Sequence, residues 1–286
     1  MLNIRRAYIA ATLFAIIIGL SFLFVKVALQ YASPLDALAH RFTIAFLAIV
    51  VVLSFKKKSM KLSSKDVSSI SLLATFYPVL FFGFQVFGLV YTSSSGAGII
   101  QATVPIFTLV LSSAILKEKS SAIQKVAISV SVIGVIYMMS MNGIDGNGMM
   151  FIGLLFILLS TISQSFYQVV ARSKTKDYSL ITIIYILTFI GFLIFNGLSL
   201  TSHIINGSIR EYLAPFGELT YVLAIIYLGI LSTLVTSYLS TYSLSILPAF
   251  QISVFGNLTT VITILAGVII LDEPSIISML LELFLS

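Results

Sequence analysis

The sequence predicts an all-α polytopic membrane protein of ten transmembrane helices, arranged as two inverted five-helix repeats with the tenth helix cut short. Three observations predict it. Composition comes first: 59% of the 286 residues are hydrophobic and 9% are charged, where a soluble domain carries about 25%. Charge this sparse cannot cover a surface that faces water, so most of the surface must face lipid. The second observation is a succession of apolar runs long enough to cross a bilayer. The third is a self-similarity between the two halves. The runs are continuous rather than alternating, which makes them helices and not barrel strands. A helix also satisfies its own backbone polar groups in lipid.

A spanning helix needs about 20 apolar residues, within about 17–25. The first run, residues 7–29, follows Arg5 and Arg6. A basic pair before an apolar stretch resembles a signal peptide, but no small-residue cleavage site stands out and many runs follow, so it reads as a span. Spans follow near 35–55, 68–91, 95–116 and 123–141. The stretch NGIDGNG, residues 142–148, then reads as a turn between the halves. The second half gives 149–170, 179–200, 218–240, 248–271 and 275–286. The two repeats are therefore 1–141 and 149–286. The last run has only twelve residues and places Glu282 at hydrocarbon depth. At about 1.5 Å per residue it covers roughly 18 Å of a core about 30 Å thick, which reads as a truncated or frame-shifted end.

The basic residues orient the spans. With the N-terminus in the cytoplasm, thirteen of the sixteen Lys and Arg fall inside, and Lys26, Arg41 and Arg210 fall outside. That is the bias the positive-inside rule expects, and it predicts a multi-pass protein of the cell (inner or plasma) membrane. It also accounts for the net charge of +6 without nucleic acid as a partner. The partners expected are the lipid bilayer and a small-molecule substrate. The absence of cysteine excludes disulfides, Cys-zinc sites and thiol nucleophiles.

The repeat is visible as two offsets. Shifted by 155 residues, Pro105 falls on Thr260, Glu118 on Glu273 and FGL (87–89) on YSL (242–244). Shifted by 144, LSFLFV (20–25) falls on QSFYQV (164–169). The offset changes between the second and third spans, so that loop is 11 residues longer in the second half. Five spans per half is an odd number, so the second half is inverted, an arrangement associated with transporters that bind substrate near the midplane.

Several stretches carry a resemblance: GLSFLFVKVAL (19–29), SPLDALAHRF (33–42), YTSSSGAGIIQATVPIFTLVLSSAILKEK (91–119) and NLTTVITILAGVIILDEP (257–274). Through them the chain resembles the EamA-type transporters of the drug/metabolite transporter superfamily over nearly its whole length. The resemblance implies ten helices in two inverted repeats and transport of small metabolites, often export of amino acids or drugs. Two departures stand out. Thr260 occupies a position where the family usually has proline, and the family's tenth helix is full length.

Hydrolytic chemistry finds no support. There are two histidines and no GxSxG or HExxH motif, and no cofactor or metal site is expected. His203 reads as solvated in an outer loop, and His40 as paired with Asp36 one turn earlier. Arg41 lies about two turns inside the second span; it is either an intramembrane functional charge, or a residue that snorkels or pairs with Asp36. Lys26 reads as an interfacial anchor. Glu118 and Glu273 read as helix-end caps or gate contacts on opposite faces, and Pro78 and Pro105 as gate hinges. The assigned substrate-binding set is Ser21, Phe22, Arg41, Tyr77, Gln85, Gln101, Gln164, Tyr167, Tyr238 and Asn257. Gln168 and Tyr242 share its polar character, and Phe81, Phe84 and Phe166 supply aromatic walls, giving a cavity suited to a small zwitterion or an apolar metabolite. Each polar member is alternatively an interhelical hydrogen bond. No Asp or Glu lies mid-span in the nine complete helices, which argues for a facilitator or for coupling through uncharged groups. The function expected is a small-metabolite exporter or facilitator working by alternating access. The alternatives are a truncated non-functional relative, a membrane enzyme without an identifiable site, and a channel without the charge rings a pore requires.

Overall fold

A computed structural model describes residues 2–55, 63–115 and 149–271. Among the described residues there are eight helices long and apolar enough to cross a membrane, and no strand. They are α1 (Asn3–Ala28), α2 (Pro34–Phe55), α3 (Val67–Tyr91), α4 (Ser94–Ile115), α5 (Met149–Lys174), α6 (Leu180–Asn206), α7 (Leu219–Ile246) and α8 (Ala249–Ile270). The fifth and tenth predicted spans, Glu118, Glu273 and the linker 142–148 lie outside the described residues.

Two boundaries differ from the sequence expectation in ways that matter. Helix α6 continues to Asn206 and ends on Gly207 at φ 66°, a left-handed conformation that glycine adopts without a Cβ penalty. His203 is therefore a helical residue rather than a loop residue. Helix α5 continues to Lys174, which carries Arg172 to the carbonyls of Leu244 and Leu247 at the end of α7. A cation there satisfies carbonyls that have no intrahelical donor.

The packing is reciprocal between the halves. Helix α1 packs on α8 and α7, while α5 packs on α4 and α3. Helix α2 packs on α7 and α6 on α3, and the pairs α2–α6 and α4–α8 join the halves symmetrically. Exchanging the first, second, third and fourth helix of one half for those of the other leaves this pattern unchanged, as a two-repeat architecture requires. Close approach is built from small residues. A Cβ on Gly88 would stand 3.0 Å from the Gly153 carbonyl, and one on Gly153 would stand 3.0 Å from the Gly88 carbonyl.

The third helix of each half is broken. In α3, residues Thr75–Leu80 leave the α-helical pattern around Pro78. Proline offers no N–H and its ring pushes the preceding residue out of the helical region, and Tyr77 is extended at φ −143°, ψ 114°. In α7, residues Tyr227–Val235 form a π-helical stretch with no proline in it. Hydroxyls support the widened turns: Thr233 Oγ1 donates to Leu228 O at 2.8 Å and Thr236 Oγ1 to Ser232 O at 2.6 Å. At the offset of 155, Tyr77 and Pro78 fall on Ser232 and Thr233. The two breaks are thus equivalent positions of the two repeats.

The fourth helices are not alike. Helix α4 is interrupted at Ala102 and Thr103, and its second segment starts at Val104 with Pro105 as its second residue. Helix α8 runs unbroken through Thr260, where Oγ1 donates to the Gly98 carbonyl of α4 at 3.0 Å. The missing proline leaves the second repeat without the interruption.

Candidate functional site

The two breaks meet at Arg41. Helix α2 carries this residue into the bundle, where it is 1% exposed. Snorkelling and pairing with Asp36 are both overturned. Nε donates to Thr233 Oγ1 at 2.6 Å, and Nη2 donates to Ser232 Oγ at 2.9 Å and to the Ser232 carbonyl at 3.2 Å. The guanidinium carbon lies 4.0 Å above the centre of the Phe82 ring, a cation–π geometry. Nη1 is buried and has no partner among the described residues. Helix α7 approaches α2 here because Gly229 has no side chain: a Cβ would stand 2.9 Å from the Arg41 carbonyl.

An aromatic cluster extends from Phe82, the ring under the guanidinium. Tyr77, extended by the break in α3, faces Arg41, Thr236 and Ser237. Its ring stacks on Tyr167 at 4.5 Å and packs against Phe81 and Phe82 at 5.3 and 5.0 Å. The Tyr167 hydroxyl lies 3.1 Å from Thr241 Oγ1. Tyr227 also faces Arg41, and its hydroxyl donates to the Ile17 carbonyl at 2.8 Å. Pro78 and Pro105 are buried.

The remaining residues of the predicted set divide. Gln101 and Gln164 meet each other, with Nε2 of Gln101 donating to Oε1 of Gln164 at 2.5 Å and Thr161 Oγ1 donating to Gln101 Oε1 at 3.0 Å. They form a closed interhelical link between α4 and α5. Ser21 is spent on its own helix, donating to Ile18 O at 2.7 Å. Phe22 and Gln85 are buried, and Gln85 Oε1 has no partner among the described residues. Tyr238 is 46% exposed and stacks beside Tyr242. Asn257 is exposed on the same face of α8 as Val254, Leu258 and Val261. These last two stand apart from the buried cluster.

A second polar cluster closes the end where α1 joins α2. Asp36 Oδ1 accepts from Ser199 Oγ at 2.5 Å and lies 2.9 Å from His203 Nε2. The pairing expected between His40 and Asp36 is therefore replaced by one between His203 and Asp36, and His203 is largely buried rather than solvated. His40 Nδ1 instead lies 2.6 Å from the Tyr221 hydroxyl, and its ring packs against Tyr212 and Phe216, each at 4.6 Å. Tyr212 donates to Asn196 Oδ1 at 2.6 Å; its phenol is pushed above the usual range by burial and then by the Asp36 charge. Over this cluster lies a cavity of about 350 Å³ whose lining includes Tyr31, Asp36, His203, Glu211 and Pro215. A larger groove of about 520 Å³ is lined, among the described residues, by α1 from Ile4 to Leu13.

Sequence reasoning does not single out Ser232, Thr233, Phe82 or the Asp36–His203 pair. The repeat offset holds the signal for two of them, since it places Ser232 and Thr233 opposite Tyr77 and Pro78.

Comparison with known proteins agrees with this architecture. The EamA-like transporter family matches residues 5–140 and 151–286. The chain is 50% identical over 267 residues to the "Uncharacterized transporter YcxC" of Bacillus subtilis (strain 168), covering 93% of this chain and 86% of that protein. An "Uncharacterized transporter" of Archaeoglobus fulgidus is 27% identical, covering 90% of this chain and 87% of its own. A solved crystal structure superposes with a TM-score of 0.62 at 16% identity, over 94% of this chain and 90% of that one; at that identity it speaks for the fold alone.

Proposed function

Because the chain belongs to the EamA-like transporter family, we propose that this multi-pass membrane transporter moves small metabolites, such as amino acids or drug-like compounds, by alternating access. In this reading it works as an exporter or facilitator in the cell membrane, with its N-terminus in the cytoplasm. Residues 1–141 and 149–286 form two inverted repeats that rock about the core. Arg41, Tyr77, Tyr167 and Phe22 line the substrate path, with Ser21, Gln85, Gln101 and Gln164 as further members and Pro78 and Pro105 as hinges, while the exposed Tyr238 and Asn257 lie outside it.

One observation carries the reading: the equivalent helix of each repeat is broken at the equivalent place, the break in α7 holds the buried Arg41 guanidinium through Ser232 and Thr233, and Tyr77 at the break in α3 lies within its electrostatic reach. Broken helices at a repeat interface are where transporters of this architecture bind substrate. Irregular backbone at membrane depth is tolerated only where protein or a water-filled cavity surrounds it. The reading is tested by uptake into proteoliposomes from a panel of amino acids and drugs, with and without a pH gradient. Accumulation of at least one compound above protein-free vesicles is expected, and accumulation of none overturns it.

A further inference from the structure

Arg41 is a buried cation that the described residues leave without a counter-ion. Two of its three guanidinium nitrogens are engaged by hydroxyl and carbonyl oxygens of α7, all uncharged. The third, Nη1, is buried and has no hydrogen-bond partner among the described residues. Asp36, the acid nearest in sequence, is taken by Ser199 and His203. Among the described residues, the ionisable side chains within electrostatic reach of the guanidinium are Tyr77 and Tyr227, phenols rather than carboxylates. A cation held in a membrane core without an anion is costly, and a guanidinium edge matches an anionic oxygen better than any neutral acceptor.

On the transporter reading above, we propose that Arg41 docks the carboxylate of a small monoanionic substrate through Nη1. The charge balance selects the class. One fixed positive charge is neutralised by one carboxylate, whereas a phosphate monoester would bring a second negative charge with no partner. A zwitterion would bring an ammonium group that finds no carboxylate around Arg41 among the described residues, so within the transporter reading a carboxylate without an amine is favoured over an amino acid. The neighbouring side chains suggest the rest of the molecule: Phe82 lies under the guanidinium and packs on Tyr77 and Phe81, and Tyr77 stacks on Tyr167, so the chemistry around the site favours an aromatic or branched aliphatic body.

Binding tests this without requiring transport. The protein, purified in detergent, is heated with graded benzoate, benzamide, phenylalanine or phenyl phosphate, and unfolding is followed by circular dichroism. Benzoate should raise the melting temperature saturably. Benzamide and phenyl phosphate should not, and phenylalanine should be at least threefold weaker than benzoate. Arg41→Gln should weaken the apparent benzoate affinity at least tenfold. Should that variant not fold, Arg41→Lys keeps the charge, loses the planar fork, and should weaken it at least threefold. No benzoate shift in the wild type, an undiminished shift in the Arg41 variant, or a stronger effect of any of the other three compounds would overturn the proposal. These outcomes are separate from uptake: transport of an uncharged compound with no carboxylate binding removes the anion site and leaves the transporter reading standing.

Discussion

Replacing Gln101 with Leu should separate a packing role from a transport role for the α4–α5 link. Gln101 Nε2 donates to Gln164 Oε1, and Gln101 Oε1 accepts from Thr161. The substitution strips Gln164 Oε1 of its donor in a buried site, while the single Thr161 hydroxyl proton is free to turn to the Ile157 carbonyl, 2.9 Å away. Interhelical hydrogen bonds in membranes are worth about 0.6 kcal/mol on average and up to about 1.7, and an orphaned buried polar group costs about 1–3. One bond lost and one group orphaned gives a loss of about 1–2 kcal/mol. Gln164→Leu should cost a similar amount by orphaning the Gln101 amide. The double variant orphans neither, so it should cost less than the two singles together by about 1 kcal/mol. Unfolding in mixed detergent micelles measures this cycle, with uptake measured on the same variants. If the substrate uses Gln101 directly, uptake falls further in the single variant than its stability loss explains. Additive stability losses would refute the closed-link geometry.

Other expectations follow from the same contacts. Gly229→Leu would force a side chain onto the Arg41 carbonyl and Ile44, where a Cβ alone would sit at 2.9 and 2.8 Å; overpacking of this kind costs about 1–3 kcal/mol and should lower both folded yield and uptake. His203→Ala removes one of two partners of Asp36 Oδ1 and should cost about 1–2 kcal/mol as the carboxylate loses its charge-assisted bond, seen as a lower melting temperature at neutral pH. Tyr212 carries a phenol raised above its ordinary range by burial and by Asp36. Folding therefore favours its protonated form, and the stabilisation is complete below the ordinary tyrosine value of about 10 and lost as pH climbs through the raised one. Tyr212→Phe should blunt that alkaline loss in a pH series of melting curves.

Much of this fold is legible in the sequence because its strongest determinant is one-dimensional. The eight described spans follow from continuous apolar runs, and Pro78 announces its own break through the missing N–H. The rest depends on partners distant in sequence. Nothing local marks Tyr227–Val235 as a π-helical stretch, since the hydroxyls that support it occur in unbroken helices too. Arg41 stands out as an intramembrane charge, but its contacts lie 191 and 192 residues away, which helix periodicity cannot reach. Asp36 and His40 are correctly spaced to pair on one helix face, yet Asp36 turns to α6, because α6 runs nearly two turns further than its apolar run suggests and delivers His203. Gln101 and Gln164 group by polarity in the sequence, and the structure brings them together as each other's partners. Tyr238 and Asn257 share that polarity and lie apart, because polarity at mid-span does not say which face of a helix a residue occupies.

Alternating access requires the core at Arg41 to open to each side of the membrane in turn. The chain contains no cysteine, so a single introduced thiol reports without a background. Ser237 is buried beside Tyr77 and Ser208 lies at the end of α6, outside the core. Ser237→Cys should be alkylated by a membrane-impermeant maleimide applied from either side, in oriented vesicles that still transport. A transported substrate or an imposed gradient should move the two labelling rates in opposite directions. A Ser237→Cys thiol unreactive from both sides, in vesicles where Ser208→Cys labels readily, would show a closed packing core and contradict alternating access.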